Sequence, residues 1–518
     1  MSEASFHEPA EPVVRTSGGA VRGRIEHGVA VFRGIPFAQP PVGDARFAPP
    51  RPATPWPGVR DAFEFGPPPP QEAGIAGLTG MSDIPEGDDW LTVNVWTPQP
   101  DSAERRPVIV WIYGGAYKLG FSGSPGYDAY RIAREADVVV VTFNYRVGVE
   151  GFARISGTPA NRGLLDQVAA LWWVQENIAA FGGDADRVTV CGESAGAGSV
   201  AALLAMPSAA GLFRRAVLQS MPGKYFSDEL AADIAEVIAK AVGRRPTVAD
   251  LAGVDPRRLP DAGAAVGGVM REYAETWGSA AYLLAPFAPV VDGEVLPTTP
   301  WQAIADGAGR EIDLIIGHNR HECQLFLVLT GELEAIDDER AEFDLRLYGP
   351  GPGSERAYRA AFPDATAAQL CELVQSDNQY RMPALHLADA QAGAGGRVHM
   401  YELTWAAPNR RGAFGACHAL DETLLFGTYE THLGPLLLGP EPPAEALELS
   451  ARMRATWGRF AATGDPGWPA YEPGRRLVQL LDAKPTVAPY PEEASRRLWQ
   501  QYTFGAMPLL QPSRQRRV

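Results

Sequence analysis

The chain has 518 residues, of which 46% are hydrophobic and 21% charged, and its formal net charge is −16. That balance describes a folded globular protein rather than a disordered or fibrous one. The negative charge argues against nucleic acid as a partner, because phosphate binding needs a basic surface, and no apolar run is long enough to span a bilayer.

In chain order, residues 1–11 read as a flexible tail, and the N-terminal stretch lacks the charged start and apolar core of a signal peptide. Residues 66–90, rich in proline and glycine and without periodicity, predict a loop insertion that covers a site. RPVIVWIYGG (106–115) and DVVVVTFNYR (137–146) are continuous apolar runs, as expected of strands buried on both faces of a parallel sheet. LLDQVAALWWVQENIAAFGG (164–183) has helical spacing and stops at a glycine pair. A strand at 187–191 and a small-residue helix, AGAGSVAALLAM, follow. Residues 214–220, 313–319 and 397–405 predict further strands, and 221–300 form a second covering insertion with helical pieces such as SDELAADIAEVIAKAV. Residues 511–518 read as a basic tail. Strands alternating with helices indicate the α/β class, with a central, mostly parallel sheet flanked by helices. One catalytic domain over 12–510 is the expectation.

RVTVCGESAGAG (187–198) ends an apolar strand on a serine among small residues. G-x-S-x-G between a strand and a helix is the nucleophile elbow, which exposes a serine oxygen on a strained turn and makes Ser194 the candidate nucleophile. Its hydroxyl reacts only when a base takes the proton, so a histidine oriented by a carboxylate must stand nearby. Among six downstream histidines, His418 lies in the glycine-bearing loop GAFGACHALDETLLFG, after a predicted strand. Glu322 follows the apolar strand of LIIGHNRHEC, where open α/β sheets carry functional groups. His318, His321 and Glu322 share one short loop, but their spacing matches no recognised metal site. IYGGAYKLG (112–120), with Gly114, supplies a glycine loop whose backbone N–H groups can face a developing oxyanion.

FRGIPFAQPPVGDARFAPP, VNVWTP, WIYGGAY, NYRVGVEGF, NRGLLDQVAALWWVQENIAAFGGD and GGDADRVTVCGESAGAGS occur in this order. Together they resemble type B carboxylesterases, the group that includes cholinesterases and bacterial p-nitrobenzyl esterases. The resemblance is dense over 16–220 and thinner at 313–328, 412–427 and 457–471. It implies an α/β-hydrolase fold and a serine carboxylesterase acting through an acyl-enzyme on a small-molecule ester, without cofactor or metal. Ser194, Glu322 and His418 match the family's nucleophile, acid and base. Gly115, Ala116 and Ala195 match the oxyanion donors. Ser220 matches a position that supports the acid, with Gly114 and Glu193 as further supporting residues. Tyr113, Tyr117, Lys118 and Lys224 are candidates for the substrate pocket, the lysines for a carboxylate-bearing substrate.

Departures from the family pattern carry information too. The loop disulfide near 66–90 is replaced by Pro69 and Trp90, which fits a cytoplasmic, reducing location. No aromatic residue stands between Phe65 and Trp90, so a quaternary ammonium substrate is not expected. Cys323, Ala419, Asp421 and Tyr113 replace the residues usual at their positions. Cys191, Cys323 and Cys417 each lie within a few residues of a triad position, as small apolar fillers. Two other readings share these motifs: acyl transfer or ring closure by the same triad, and a non-catalytic cholinesterase-like binding protein.

Overall fold

Eleven strands form the central sheet of the computed structural model, which describes residues 11–72, 87–100 and 102–510. They are β1 (Arg24–Glu26), β2 (Val29–Pro36), β3 (Thr92–Thr97), β4 (Arg106–Ile112), β5 (Val139–Phe143) and β6 (Gly183–Glu193). The chain continues through β7 (Arg215–Gln219), β8 (Asp313–Asn319), β9 (Val398–Leu403), β10 (Leu477–Leu481) and β11 (Thr486–Pro489). Across the sheet the order is β11-β10-β9-β8-β7-β6-β4-β5-β3-β2-β1. The run from β10 to β5 is parallel. Both flanks are antiparallel.

The parallel centre follows from its sequence. All five residues of β5 are buried, as are six of the seven in β4, so each strand needs cover on both faces. Helices provide it. Those that lie on the sheet include α1 (Arg162–Asn177), α2 (Ala195–Ala205), α5 (Met382–Gly393) and α6 (Ala444–Thr463), while α3 (Asp228–Ala241) and α4 (Ala367–Ser376) belong to the stretches between strands and pack away from it. α2 is built of small residues and every one of them is buried, which lets it lie against β6 and β7. α3 starts where Ser227 Oγ accepts the Leu230 N–H at 3.2 Å, and Asp228 and Glu229 in its first turn favour the positive end of the helix.

Predicted and observed elements differ mainly at their ends. The helix expected over 164–183 stops at Asn177 and tightens into a 3-10 turn over Ile178–Phe181, where Gly182 adopts φ +80°. The following strand then begins at Gly183 rather than 187, because it pairs with Arg106 across a register shift in β4. Residues 221–300 lie between the adjacent strands β7 and β8, as expected of an insertion. Within the other insertion, residues 73–86 fall outside the described residues, as do 1–10 and 511–518. Gln71 holds its near end down: the side chain donates to Gly120 O and accepts from Gly120 N, both at 3.0 Å.

Register aligns the ends of the parallel strands. Ile112 pairs with Gly192, Glu193 with Gln219, and Gln219 with Gly317. The segments after β4, β6, β7 and β8 therefore leave the sheet side by side at its carboxyl edge. In open α/β sheets that edge is where ligands bind. No helix among the described residues is long and apolar enough to cross a membrane.

Candidate active site

Ser194 stands at the end of β6 with φ 54° and ψ −126°, a conformation that a residue with a Cβ rarely adopts. Two glycines make it attainable. A Cβ at Gly192 would meet the carbonyl carbon of Gly196 at 2.5 Å, and one at Gly196 would meet Ile112 O at 2.0 Å. The turn is fixed from both sides, since Ser194 N donates to Gln219 O at 3.0 Å and Gly198 N donates to Ser194 O at 2.9 Å. Ser194 itself remains partly exposed, so its hydroxyl is reachable.

The acid and the histidine meet because their loops are joined by backbone bonds. His321 N donates to Ala416 O at 2.8 Å, and His418 N to Glu322 O at 3.3 Å. Asn319 ties the same loops through its side chain, donating to Cys417 O at 2.8 Å and Asp421 Oδ1 at 3.1 Å. His418 Nδ1 then lies 2.7 Å from Glu322 Oε2, and Glu322 Oε1 accepts the Asn319 N–H at 2.7 Å. A carboxylate so held selects one tautomer of the ring.

The other ring nitrogen faces a second acid. His418 Nε2 lies 3.1 Å from Glu193 Oε1, and no hydrogen bond joins it to Ser194 Oγ. Glu193 is held well above the usual carboxylate range, first by burial and then by the charges of Glu422, Asp421 and Glu322. Glu422 is pushed up to about 8 by burial and by Asp421. Asp421, beneath them, accepts from Tyr401 at 2.7 Å, Gln219 at 3.0 Å and Asn319.

The loop after β4 contains Gly114, Gly115 (φ +113°) and Ala116 (φ +52°). Gly115 has to be glycine, because a Cβ there would lie 2.3 Å from Leu119 O. The amides of Gly115, Ala116 and Ala195 make no hydrogen bond among the described residues. Ala116 and Ala195 line a cavity of ≈ 60 Å³ that reaches Ser194. Free donors grouped around a nucleophile can stabilise an oxyanion.

The pocket candidates separate. Tyr117 and Lys224 line the cavity. Tyr113 does not: it is fully buried and stacked on Tyr145 at 4.4 Å, with Tyr145 Oη donating to Tyr113 O at 2.7 Å. It supports the loop from below. Lys118 also lies outside the cavity wall and pairs with Glu72 at 3.7 Å. Ser220 Oγ is buried and makes no hydrogen bond among the described residues, so its hydroxyl does not hold Glu322 here.

Several residues had no signal in the sequence. Tyr380 and Phe326 flank the His418 ring at 4.5 and 5.4 Å between centroids. Tyr380 and Gln379 belong to a π-helical turn, Asp377–Arg381, inserted between α4 and α5. Such turns concentrate at functional sites. Leu283, Leu284, Ala285 and Phe287, from the second insertion, form the apolar wall.

Among the described residues, no three of His, Cys, Asp or Glu are grouped as metal ligands would be. His318 points away, toward Tyr490 Oη at 3.2 Å, and is pulled down to about 3 by burial and the Arg381 charge. Burial raises the thiols of Cys191, Cys323 and Cys417, which leaves them unreactive.

The chain is 36% identical over 498 residues to the para-nitrobenzyl esterase of Bacillus subtilis, covering 94% of this chain and 98% of that protein. It is 32% identical to human carboxylesterase 3, covering 98% and 92%. The crystal structure of a Geobacillus stearothermophilus carboxylesterase superposes with a TM-score of 0.82 at 36% identity, covering 94% of this chain and all of that one. The profile of the carboxylesterase family matches residues 10–504. An α/β-hydrolase sheet, a serine on a strained elbow and these matches lead to one assignment: the chain belongs to the carboxylesterase family and hydrolyses carboxylic esters.

Proposed function

We propose that Ser194, His418 and Glu322 act as nucleophile, base and orienting acid, with Gly115, Ala116 and Ala195 as oxyanion donors. The observation that carries this reading is the His418–Glu322 contact at 2.7 Å on the sheet edge that also exposes Ser194. One adjustment is required, in which substrate entry turns Nε2 of His418 from Glu193 to Ser194 Oγ. Catalytic hydrogen bonds often tighten only in the substrate complex.

Ser194 Oγ attacks the ester carbonyl as its proton passes to His418 Nε2. The carbonyl oxygen becomes anionic and is held by the three amides, each worth about 3 kcal/mol in the transition state. The imidazolium proton goes to the departing alkoxide, so an alcohol leaves and an acyl-enzyme remains. Water attacks this ester with His418 again as base, and the acid departs with Ser194 restored.

The ≈ 60 Å³ of space with apolar walls favours short acyl chains. One continuous core runs from Val14 to Phe504 and supports a single catalytic domain over 12–510. Four unpaired, buried cysteines fit a reducing, cytoplasmic location. The test is hydrolysis of p-nitrophenyl acetate, butyrate and octanoate by wild type and Ser194→Ala. Serine-dependent turnover that declines with chain length is expected. Undiminished turnover by folded Ser194→Ala overturns the assignment of the nucleophile.

A further inference from the structure

Among the described residues, Lys224 is the one charged side chain in the wall of the cavity that holds Ser194. It also lines a second cavity of ≈ 420 Å³, bounded by Trp277, Asn378, Tyr502 and Phe504, and among the described residues is the one charged side chain there too. The ammonium thus stands at the partition between the two spaces. Its position is set by backbone: Gly223 N donates to Gln379 O at 3.0 Å, which docks the segment after β7 on the π-helical turn.

The charge has no counter-ion. Nζ donates to Asn378 Oδ1, a neutral amide, and no carboxylate lies within ion-pair distance among the described residues. Asn378 is committed on its other side, donating to Tyr348 O at 2.9 Å. Around the lysine the walls are Pro222, Leu283, Leu284, Ala285, Phe287 and Tyr380. A half-buried ammonium against such walls is destabilised by lost hydration, and pairing with an anion restores the balance. The desolvation is visible in its proton affinity, which falls to about 8. Lys118 differs in this respect, because Glu72 already neutralises it.

We propose that Lys224 is a specificity-determining residue that binds a carboxylate of the substrate, so that the preferred substrates are short esters carrying a second, ionised carboxyl group. This inference rests on Ser194 being the nucleophile. One positive charge matches one carboxylate, whereas a dianionic phosphate calls for a second cation, and among the described residues neither cavity wall contains one. The small volume beside Ser194 keeps the spacer between ester and carboxylate short.

Two substrate pairs test it. Monoethyl glutarate against ethyl 5-oxohexanoate places the charge on the acyl side, with the methyl ketone as neutral isostere. 4-Acetoxybutanoate against 5-acetoxypentan-2-one places it on the alcohol side. Wild type is expected to prefer the carboxylate in one pair by about tenfold or more in kcat/KM, mostly through KM. Lys224→Met should bring that ratio to about one, and Lys224→Arg should keep part of it. Wild type also gives a readout without any variant: glutarate should inhibit p-nitrophenyl acetate hydrolysis competitively at concentrations where heptane-2,6-dione does not. Equal kcat/KM within both pairs, or equal inhibition by glutarate and the diketone, overturns the proposal. A wild type without Ser194-dependent p-nitrophenyl acetate turnover overturns the underlying assignment instead.

Discussion

His418 is held between two carboxyl groups, Glu322 Oε2 at 2.7 Å from Nδ1 and Glu193 Oε1 at 3.1 Å from Nε2. The two are not equivalent. Glu322 is fixed by a backbone N–H from Asn319, which donates to its other oxygen at 2.7 Å. Glu193 is buried beside three other acids, which favours its neutral form, and a neutral acid can donate to Nε2. Glu322→Gln is therefore expected to lower kcat/KM by about 10⁴, as loss of the orienting carboxylate does in serine hydrolases. Glu193→Gln, which resembles the neutral acid already present, should cost less than about tenfold. Steady-state kinetics of the two variants checks this, and equal losses would show that Glu193 works as an anion.

Stability should fall with rising pH because of Glu422. An unfolded glutamate loses its proton near about 4.3, whereas in the fold Glu422 keeps it up to about 8. Between those values the folded chain binds more protons than the unfolded one, so this contribution is full below the lower value and is lost as pH rises through the upper. Wild-type Tm should drop between about pH 5.5 and 8.5, and Glu422→Gln should reduce that drop by about 1–3 °C. Parallel curves for the two proteins would show that Glu422 is ionised throughout.

Gly192→Ala should damage fold and catalysis together. Its Cβ would lie 2.5 Å from the Gly196 carbonyl carbon, 2.6 Å from Gly196 O and 2.9 Å from Ala197 N, all backbone atoms that cannot turn aside. Destabilisation of about 1–3 kcal/mol is expected from such overpacking. A denaturant midpoint and kcat measured on the same sample check it, because relief by moving the elbow shifts Ser194.

The buried Arg146–Asp166 pair is expected to be costly to break. Arg146 Nε and its second terminal nitrogen each donate to Asp166 at 2.8 Å, and both side chains are fully buried. Asp166→Ala leaves the guanidinium buried with one partner, Ala48 O, and should cost about 3–5 kcal/mol. Because Tyr145 precedes Arg146 and supports the loop after β4 through Tyr113 O, the variant should also lose esterase activity at temperatures where it remains folded. Thermal melts and initial rates measured together check both effects.

Much of the fold was readable because it depends on neighbours in the chain. Continuous apolar runs mark β4 and β5, and the spaced apolar residues of 164–177 mark α1. Half of the elbow was readable for the same reason: the crowding at Gly192 comes from Gly196 and Ala197, close in the chain, whereas that at Gly196 comes from Ile112 on the neighbouring strand. Tyr113 and Lys118 show the limit of that reading. Both lie beside Gly115 and Ala116 in sequence, yet one packs beneath that loop and the other turns to Glu72.

What remained was decided by tertiary structure. The π-helical turn that carries Tyr380 and Gln379 has the composition of ordinary helix, and only its packing against His418 distinguishes it. Leu283 and Phe287 become an apolar wall because the second insertion folds back over the sheet edge. His418 and Glu322 are 96 residues apart, and they meet because β8 and β9 pair in one register and their loops bond to each other. The sequence by itself determined which residues could do the chemistry, since reactivity belongs to residue type and local turn. Sheet register and burial decided which of them meet, and left Lys224 beside Ser194 with no counter-ion among the described residues.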